Sequence, residues 1–185
     1  MHSRMTTYGR TLASSRALGL VLALTAGVTI PTLGLPQWIT GPLVNALLFL
    51  TALRLGVSGA MVVGLVTPLA AVLRGVLPLP LLVMTPFIAL GNATLVGVFG
   101  TLRGRNPRLA VGAAALAKFA LLSATVTLLV ARPLSLAIGG SAQVVALPAA
   151  MVEMMRWPQL ATALIGGAIA LGTDALIARR AEGQD

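Results

Sequence analysis

The residue with the clearest chemical potential in this sequence is a lysine inside a long apolar run. Lys118 lies between Leu109 and Ala131, and no other charged side chain occurs in that run. An ammonium is expensive to place deep in a membrane, so such a lysine normally faces a cavity, a partner or a ligand rather than lipid. The lysine lies nine residues after Leu109. At about 1.5 Å per helical residue it is then roughly 14 Å deep in a hydrocarbon core about 30 Å thick.

Three roles are open for Lys118. It could snorkel to an interface, pair with a carboxylate, or hold a carboxylate, phosphate or polar ring of a ligand. The predicted depth of the acids disfavours pairing within the chain, because Asp174 falls near the inner end of the last helix and Glu153 falls outside the membrane. A ligand is the counter-group that we favour.

Other polar side chains fall between the predicted midplane and the outer side of the membrane, whereas the inner half is apolar. This asymmetry predicts a cavity that opens outward and is closed beneath, rather than a polar path through the bundle. Alternatives remain for single residues: each asparagine could join helices, an arginine could meet lipid headgroups, and Glu153 could pair with Arg156. The candidate substrate-binding residues are Gln37, Asn45, Arg74, Asn92, Lys118, Thr125 and Glu153.

Composition identifies the elements that must position these residues. Of 185 residues, 57% are hydrophobic and only 9% are charged, and long apolar runs recur along the chain. This pattern predicts a multi-pass protein of a bacterial cytoplasmic membrane, without a soluble domain. The net charge of +9 does not indicate nucleic acid, because the arginines flank apolar runs instead of forming one patch.

Catalytic and metal-binding patterns are missing from the sequence. Cysteine is absent, and the one histidine is His2. Neither a Walker A sequence nor a protease motif occurs. We therefore expect neither an enzyme nor a cofactor or metal site.

The predicted fold is all-α, an integral membrane bundle of six transmembrane helices. A single domain is expected over residues 13–178, with cytoplasmic tails at 1–12 and 179–185. The first helix resembles a signal peptide, but a retained helix is the preferred interpretation. Residues 144–155 are expected to form a short re-entrant or interfacial element. The predicted helices cover residues 13–33, 39–55, 59–74, 85–102, 109–131 and 158–177.

Arginine distribution predicts that both termini lie in the cytoplasm. With six spans, nine arginines fall on the side of the termini, and three fall on the other side, namely Arg74, Arg132 and Arg156. Cytoplasmic segments of membrane proteins carry an excess of Lys and Arg. Pro68, inside the third helix, is expected to kink it.

Four short segments carry a family resemblance. They are Thr29–Pro31 (TIP), Gly41–Ala46 (GPLVNA), Leu55–Gly59 (LGVSG) and Pro86–Ala93 (PFIALGNA). Together with the six-helix architecture, they make the chain similar to the substrate-binding S component of an energy-coupling factor (ECF) transporter. The resemblance implies capture of a vitamin, precursor or other micronutrient from outside. It also implies partnership with a transmembrane coupling protein and two ATPase subunits.

The resemblance further implies a docking face on helix 1. In the family, an AxxxA pattern there meets the coupling protein. Ala13 and Ala17 match it, while Gly19 and Ala23 form a shifted small-residue variant. Packing within the bundle is the alternative for such small residues. For the whole chain, the alternatives are a self-sufficient small transporter or channel, and a membrane assembly protein without a ligand.

Overall fold

Six long helices dominate the structure, a computed structural model that describes residues 2–73, 79–138 and 141–183. A two-stranded hairpin and a short helix lie between the fifth and last long helices. The elements in chain order are α1 (His2–Thr32), α2 (Gln37–Arg54), α3 (Val57–Leu73), α4 (Leu79–Leu102), α5 (Pro107–Ala131), β1 (Leu134–Ile138), β2 (Ser141–Val145), α6 (Ala149–Met154) and α7 (Trp157–Glu182).

The predicted helices are all found, with shifted ends. Helix α1 begins at His2 and α7 continues to Glu182, so most of both predicted tails is helical. Four segments are long and apolar enough to cross a membrane: Ser14–Thr32, Leu82–Leu102, Pro107–Ala131 and Ala149–Glu182. Helices α2 and α3 are shorter, with 18 and 17 residues. The fold is therefore a helical bundle suited to a multi-pass membrane protein.

The segment between α5 and α7 differs in part from the prediction. The sequence predicts a short re-entrant or interfacial element over residues 144–155, and the six-residue helix α6 lies within that range. The antiparallel hairpin before it, in which Leu134 lies opposite Val145, is not among the predicted elements. Its sequence signal is the Gly139–Gly140 pair between two short runs, because adjacent glycines favour tight hairpin turns. The all-α class is confirmed for the bundle of long helices.

Helix α2 is the centre of the bundle. It packs against α1, α3, α4 and α7, while α5 closes the ring between α4 and α7. Helices α2 and α3 are joined by the turn at Leu55 and Gly56, where Gly56 has a φ of 97°, a conformation that glycine adopts without strain. Helix α1 lies outside the ring, against α2 and α3.

The two ends of the bundle have different chemistry. At one end Arg54 of α2 bonds Asp174 of α7, with 2.5 Å between Nε and Oδ1, and Arg103 donates to the carbonyl of Ala52. We call this the arginine end. The opposite end carries the α1–α2 loop at Leu33–Pro36, the hairpin and α6, and we call it the hairpin end. Arg16, Arg105, Arg108, Arg179 and Arg180 belong to the segments that meet at the arginine end.

Small residues bring α2 and α7 into backbone contact. A Cβ added at Gly166 would lie 2.7 Å from Asn45 Cβ and 2.8 Å from the Pro42 carbonyl oxygen. A Cβ at Gly41 would lie 2.8 Å from Thr162 Cγ2. Small residues at such crossings let membrane helices approach closely. The crossing therefore requires glycine at position 166.

Gly166→Ala should destabilise the protein, because the new methyl group meets backbone atoms of α2 that cannot rotate away. We expect a loss of about 1–3 kcal/mol, the usual cost of overpacking. Unfolding in SDS-containing mixed micelles, followed by tryptophan fluorescence, measures it.

Gly172→Ala is the matched control, since nothing lies within 4 Å of a Cβ at that position of the same helix. It should be neutral or slightly stabilising, because alanine is the better helix former. Equal stability of the two variants would contradict the prediction, because it would mean that α2 and α7 accommodate a methyl group at position 166 without cost.

Candidate ligand-binding cavity

A cavity of about 450 Å³ opens at the hairpin end and reaches down to Lys118. Its wall is contributed by α1 and the α1–α2 loop, by α2, α3, α4 and α5, and by α6 and the start of α7. The volume falls in the range of roughly 300–1,000 Å³ typical of small-molecule sites. The lining residues are Pro31, Thr32, Leu33, Gly34, Leu35, Gln37, Thr40, Gly41, Val44, Asn45, Thr67, Pro68, Ala71, Thr85, Ile88, Asn92, Lys118, Met154, Met155 and Gln159.

The deepest part of the cavity is built around the Lys118 ammonium. Lys118 is 3% exposed, and its Nζ donates to Asn45 Oδ1 of α2 and to Asn92 Oδ1 of α4, at 2.8 Å each. Both asparagines are also buried. An ammonium has three N–H donors, so one remains beyond these two bonds. Lys118 therefore faces the interior of the bundle and not lipid.

The Asn92 amide is oriented by a missing backbone hydrogen bond within α3. Pro68 has no backbone N–H, so the carbonyl of Gly64, four residues earlier, lacks its usual helical donor. Asn92 Nδ2 donates to that carbonyl at 3.0 Å. The close approach depends on Gly64, since a Cβ there would lie 3.2 Å from Asn92 Cβ. With the amide nitrogen held by α3, the amide oxygen points to Lys118.

The Asn45 amide is oriented in the same way by α7. Its Nδ2 lies 3.4 Å from Thr162 Oγ1, and Thr162 Oγ1 in turn donates to the Gln159 carbonyl at 3.3 Å. The contact is possible because Gly166 lets α7 approach α2. Lys118, Asn45 and Asn92 thus connect α2, α3, α4, α5 and α7 through one chain of hydrogen bonds.

Neutral groups surround the ammonium. Within the described residues, the ion pairs are Arg54–Asp174 at the arginine end and Arg156–Glu153 near the hairpin end. Neither carboxylate lines the cavity. Two amide oxygens solvate an ammonium but do not cancel its charge. The site therefore retains a positive electrostatic potential, which favours an anionic ligand.

The floor beneath Lys118 is apolar. One turn further toward the arginine end lie the fully buried Phe49 and Phe99, whose rings meet edge to face with 4.9 Å between centroids. Leu48, Leu95 and Ala115 fill the same layer without exposure. In the described part of the chain, the cavity thus has a mouth at the hairpin end and a closed, close-packed base.

Of the predicted substrate-binding residues, Gln37, Asn45, Asn92 and Lys118 line the cavity. Thr125 is not part of the lining, and its hydroxyl donates to the Leu121 carbonyl of its own helix at 2.9 Å. Glu153 is exposed, lies outside the lining, and pairs with Arg156 at 3.4 Å. The predicted residue Arg74 lies outside the described residues.

Sequence reasoning missed two polar residues of α7: Gln159, which lines the cavity, and Thr162, which lies behind the wall in contact with Asn45. Gln159 Nε2 donates to the Met154 carbonyl at 3.2 Å, which fixes α6 against the start of α7. Two polar side chains three residues apart near the start of an apolar helix were the available signal. Thr40, Thr67 and Thr85 also line the cavity.

The four residues of the predicted docking face on helix 1 lie in different surroundings. Ala23 is 8% exposed and belongs to the core, and a Cβ at Gly19 would lie 3.0 Å from Leu55 Cδ2. Both residues pack into the bundle because α1 lies against α2 and α3 there. Ala17 is exposed and borders a groove of about 200 Å³ beside the α2–α3 turn. Ala13 lies in the same helix, one turn earlier.

The resemblance to S components rests on the four sequence segments alone. No protein-family model, curated protein or solved structure matches the chain. Within the described residues, no group of histidine, cysteine and acidic side chains could hold a metal ion. The cavity is therefore the main structural feature that bears on function.

Asn92→Leu should destabilise the protein strongly, because Lys118 loses one of its two acceptors and the Gly64 carbonyl loses its donor. Breaking one side of a buried charged contact costs about 3–5 kcal/mol. Adding Lys118→Met should recover part of the loss, since replacing both partners by apolar groups of similar shape is far less costly. Unfolding in mixed micelles of both single variants and the double variant gives the coupling energy. Strictly additive losses would mean that the two side chains do not interact.

Proposed function

We propose that the chain is the substrate-capture subunit of an ATP-driven importer of the ECF type, binding a vitamin, precursor or related micronutrient. The observation that carries the proposal is a cavity that opens at one end of the bundle and ends at Lys118 above a closed base. A buried cation held by two oriented amides is a costly arrangement, and its position at the bottom of an accessible cavity gives it a use. The four segments that resemble S components support the same conclusion.

The proposed orientation places the hairpin end outside the cell and both termini in the cytoplasm. All six long helices then cross the membrane. Helix α2 is surrounded by four other helices, and α3 exposes Val62, Leu65 and Leu69 on one face, as a lipid-facing helix does. The arginine end carries most of the positive charge, as cytoplasmic ends do. Trp38 and Trp157, both more than half exposed near the hairpin end, suit the outer interface, where tryptophan is enriched. Substrate would enter from outside.

The closed base supports capture rather than free passage. A channel or self-sufficient carrier needs a route past Phe49 and Phe99, and these rings are fully buried in contact with each other. Release to the cytoplasm would therefore need a large displacement driven from outside the chain. In the proposal, the coupling protein and its two ATPases supply that energy.

The capture function predicts that a small molecule co-purifies with the protein in mild detergent. Mass spectrometry of the extracted compounds should find it with the wild type and at least tenfold less of it with Lys118→Met, which removes the cation but retains the side-chain length. Thr127→Ala is the control, because Thr127 is exposed on the same helix and outside the cavity. Transport by the chain alone in liposomes would support a self-sufficient carrier instead. Equal recovery from Lys118→Met would refute the assignment of the cavity.

A second prediction concerns assembly. Ala17→Trp should reduce co-purification with the coupling protein and ATPases of the same cell at least severalfold, because Ala17 is the predicted docking residue shown to be exposed. Ligand recovery should stay unchanged. Leu116→Trp, at an exposed position of α5, is the control and should not affect assembly. Ala23→Trp should reduce folding itself, since Ala23 is in the core. Undiminished assembly of Ala17→Trp would exclude this part of α1 as the docking site.

A further inference from the structure

The described lining of the cavity contains one charged side chain and no aromatic ring. Its other polar groups are the amides of Gln37, Asn45, Asn92 and Gln159 and threonine hydroxyls. No acidic side chain lines it, so nothing there would neutralise a cationic ligand. A ligand with a positive charge would meet Lys118 without compensation, and like charges at close range repel.

The two ring pairs of the described residues lie outside the lining of the cavity. Phe49 pairs with Phe99 in the floor, and Phe119 stacks on Trp157 with 4.9 Å between centroids. Planar aromatic ligands gain much of their binding energy from stacking on such rings. The wall offers instead aliphatic and thioether surface from Pro68, Ile88, Met154 and Met155 among others. Flexible methionines suit an irregular, saturated body.

The geometry around Lys118 limits the charge that the floor can accept. Two of the three N–H directions are occupied by the Asn45 and Asn92 oxygens, whose lone pairs would repel additional anionic oxygens. A single free donor suits one oxygen of a monoanion. A phosphate dianion is better matched by several donors or by the forked guanidinium of arginine, and no arginine is among the described lining residues.

Resting on the capture function, we propose that the cavity selects a compact aliphatic monocarboxylate. Its carboxylate would bind Lys118 Nζ at the floor, and its saturated body would lie against Pro68, Ile88 and the two methionines toward the mouth. The same chemistry exists in free fatty acids of the bilayer. The volume of about 450 Å³ and the closed base favour the compact, water-soluble source.

Matched probes test the ligand class directly. Cyclohexanepropionate, its amide, the corresponding propylamine and the corresponding phosphonate share one saturated body and differ in the head group. Binding to the protein in nanodiscs is measured by isothermal titration and by thermal shift. The carboxylate should bind at least tenfold more tightly than the other three. Hexadecanoate should not compete with it at equal free concentration, whereas competition would identify the bilayer as the source.

A charge variant separates electrostatics from shape. Asn45→Asp adds a carboxylate beside Lys118, and Thr162 Oγ1, 3.4 Å from the present amide, can donate to it. This variant should lower the affinity for cyclohexanepropionate at least tenfold more than it lowers that for the amide, because the added carboxylate repels only the anionic probe. Asn106→Asp is the control, because Asn106 caps α5 by accepting from the Arg108 and Leu109 N–H groups and aspartate caps equally well. Asn92→Asp repeats the test if Asn45→Asp does not fold.

The outcomes distinguish the ligand class from the capture function. Tightest binding of the amine, amide or phosphonate, or no binding of any probe, would overturn the monocarboxylate proposal. A co-purifying compound that depends on Lys118 but carries no carboxylate would do the same and leave capture intact. Absence of any Lys118-dependent compound would instead count against the capture function.

Discussion

The structure depends on how the bundle accommodates one buried ammonium. Lys118 is 3% exposed, and its two hydrogen bonds to Asn45 and Asn92 are each 2.8 Å long. Removing a charged group from water costs on the order of several kcal/mol, even after the surrounding protein has relaxed. Partners with good geometry are therefore required, and they come from two other helices. The interaction that tolerates the charge is thus also the one that sets how α2, α4 and α5 face each other.

Helix breakers make this arrangement possible. Pro68 frees the Gly64 carbonyl, Asn92 binds that carbonyl with its nitrogen, and the amide oxygen is left for Lys118. On α7, Gly166 allows the backbone contact with α2 that brings Asn45 within reach of Thr162. Proline and glycine are tolerated in membrane helices when neighbours satisfy the freed groups. Here the freed carbonyl determines which way a functional side chain points.

Counting residues along apolar runs gave Lys118, Asn45 and Asn92 as polar residues within predicted helices, because helical rise converts sequence position to distance along a helix. In the structure the three side chains meet in one cluster. Counting could not predict their pairing, which depends on the rotation of each helix and on which helices are neighbours. Thr125 illustrates the limit. Helical periodicity puts Thr125 on the same face of α5 as Lys118, two turns later. At that level the face no longer borders the cavity, and the Thr125 hydroxyl donates to the Leu121 carbonyl of its own helix.

Spacing of small residues had a similar limit on α1. Gly19 and Ala23 allow close approach of a helix, but the pattern does not say whether that helix belongs to the same chain. Contacts with Leu55 and the core show that it does. The hairpin was missed for another reason, since periodicity over five-residue strands is too short to outweigh a membrane interpretation of the surrounding sequence.

The two ends of the bundle differ in how strongly they are held together. At the arginine end, Arg54 bonds both the carboxylate and the carbonyl of Asp174, and Arg103 binds the Ala52 carbonyl. Above this layer, Phe49 and Phe99 are packed without exposure.

At the hairpin end the wall is formed partly by the loop Leu33–Leu35, and loops open at lower cost than packed helices. A molecule bound at Lys118 thus meets least resistance on the side from which the proposal has it enter. Moving it the other way requires separating α2 from α4 at Phe49 and Phe99, whose rings are in contact at the base of the cavity. The packing of the base therefore fits the proposed capture function, in which release needs energy from a partner.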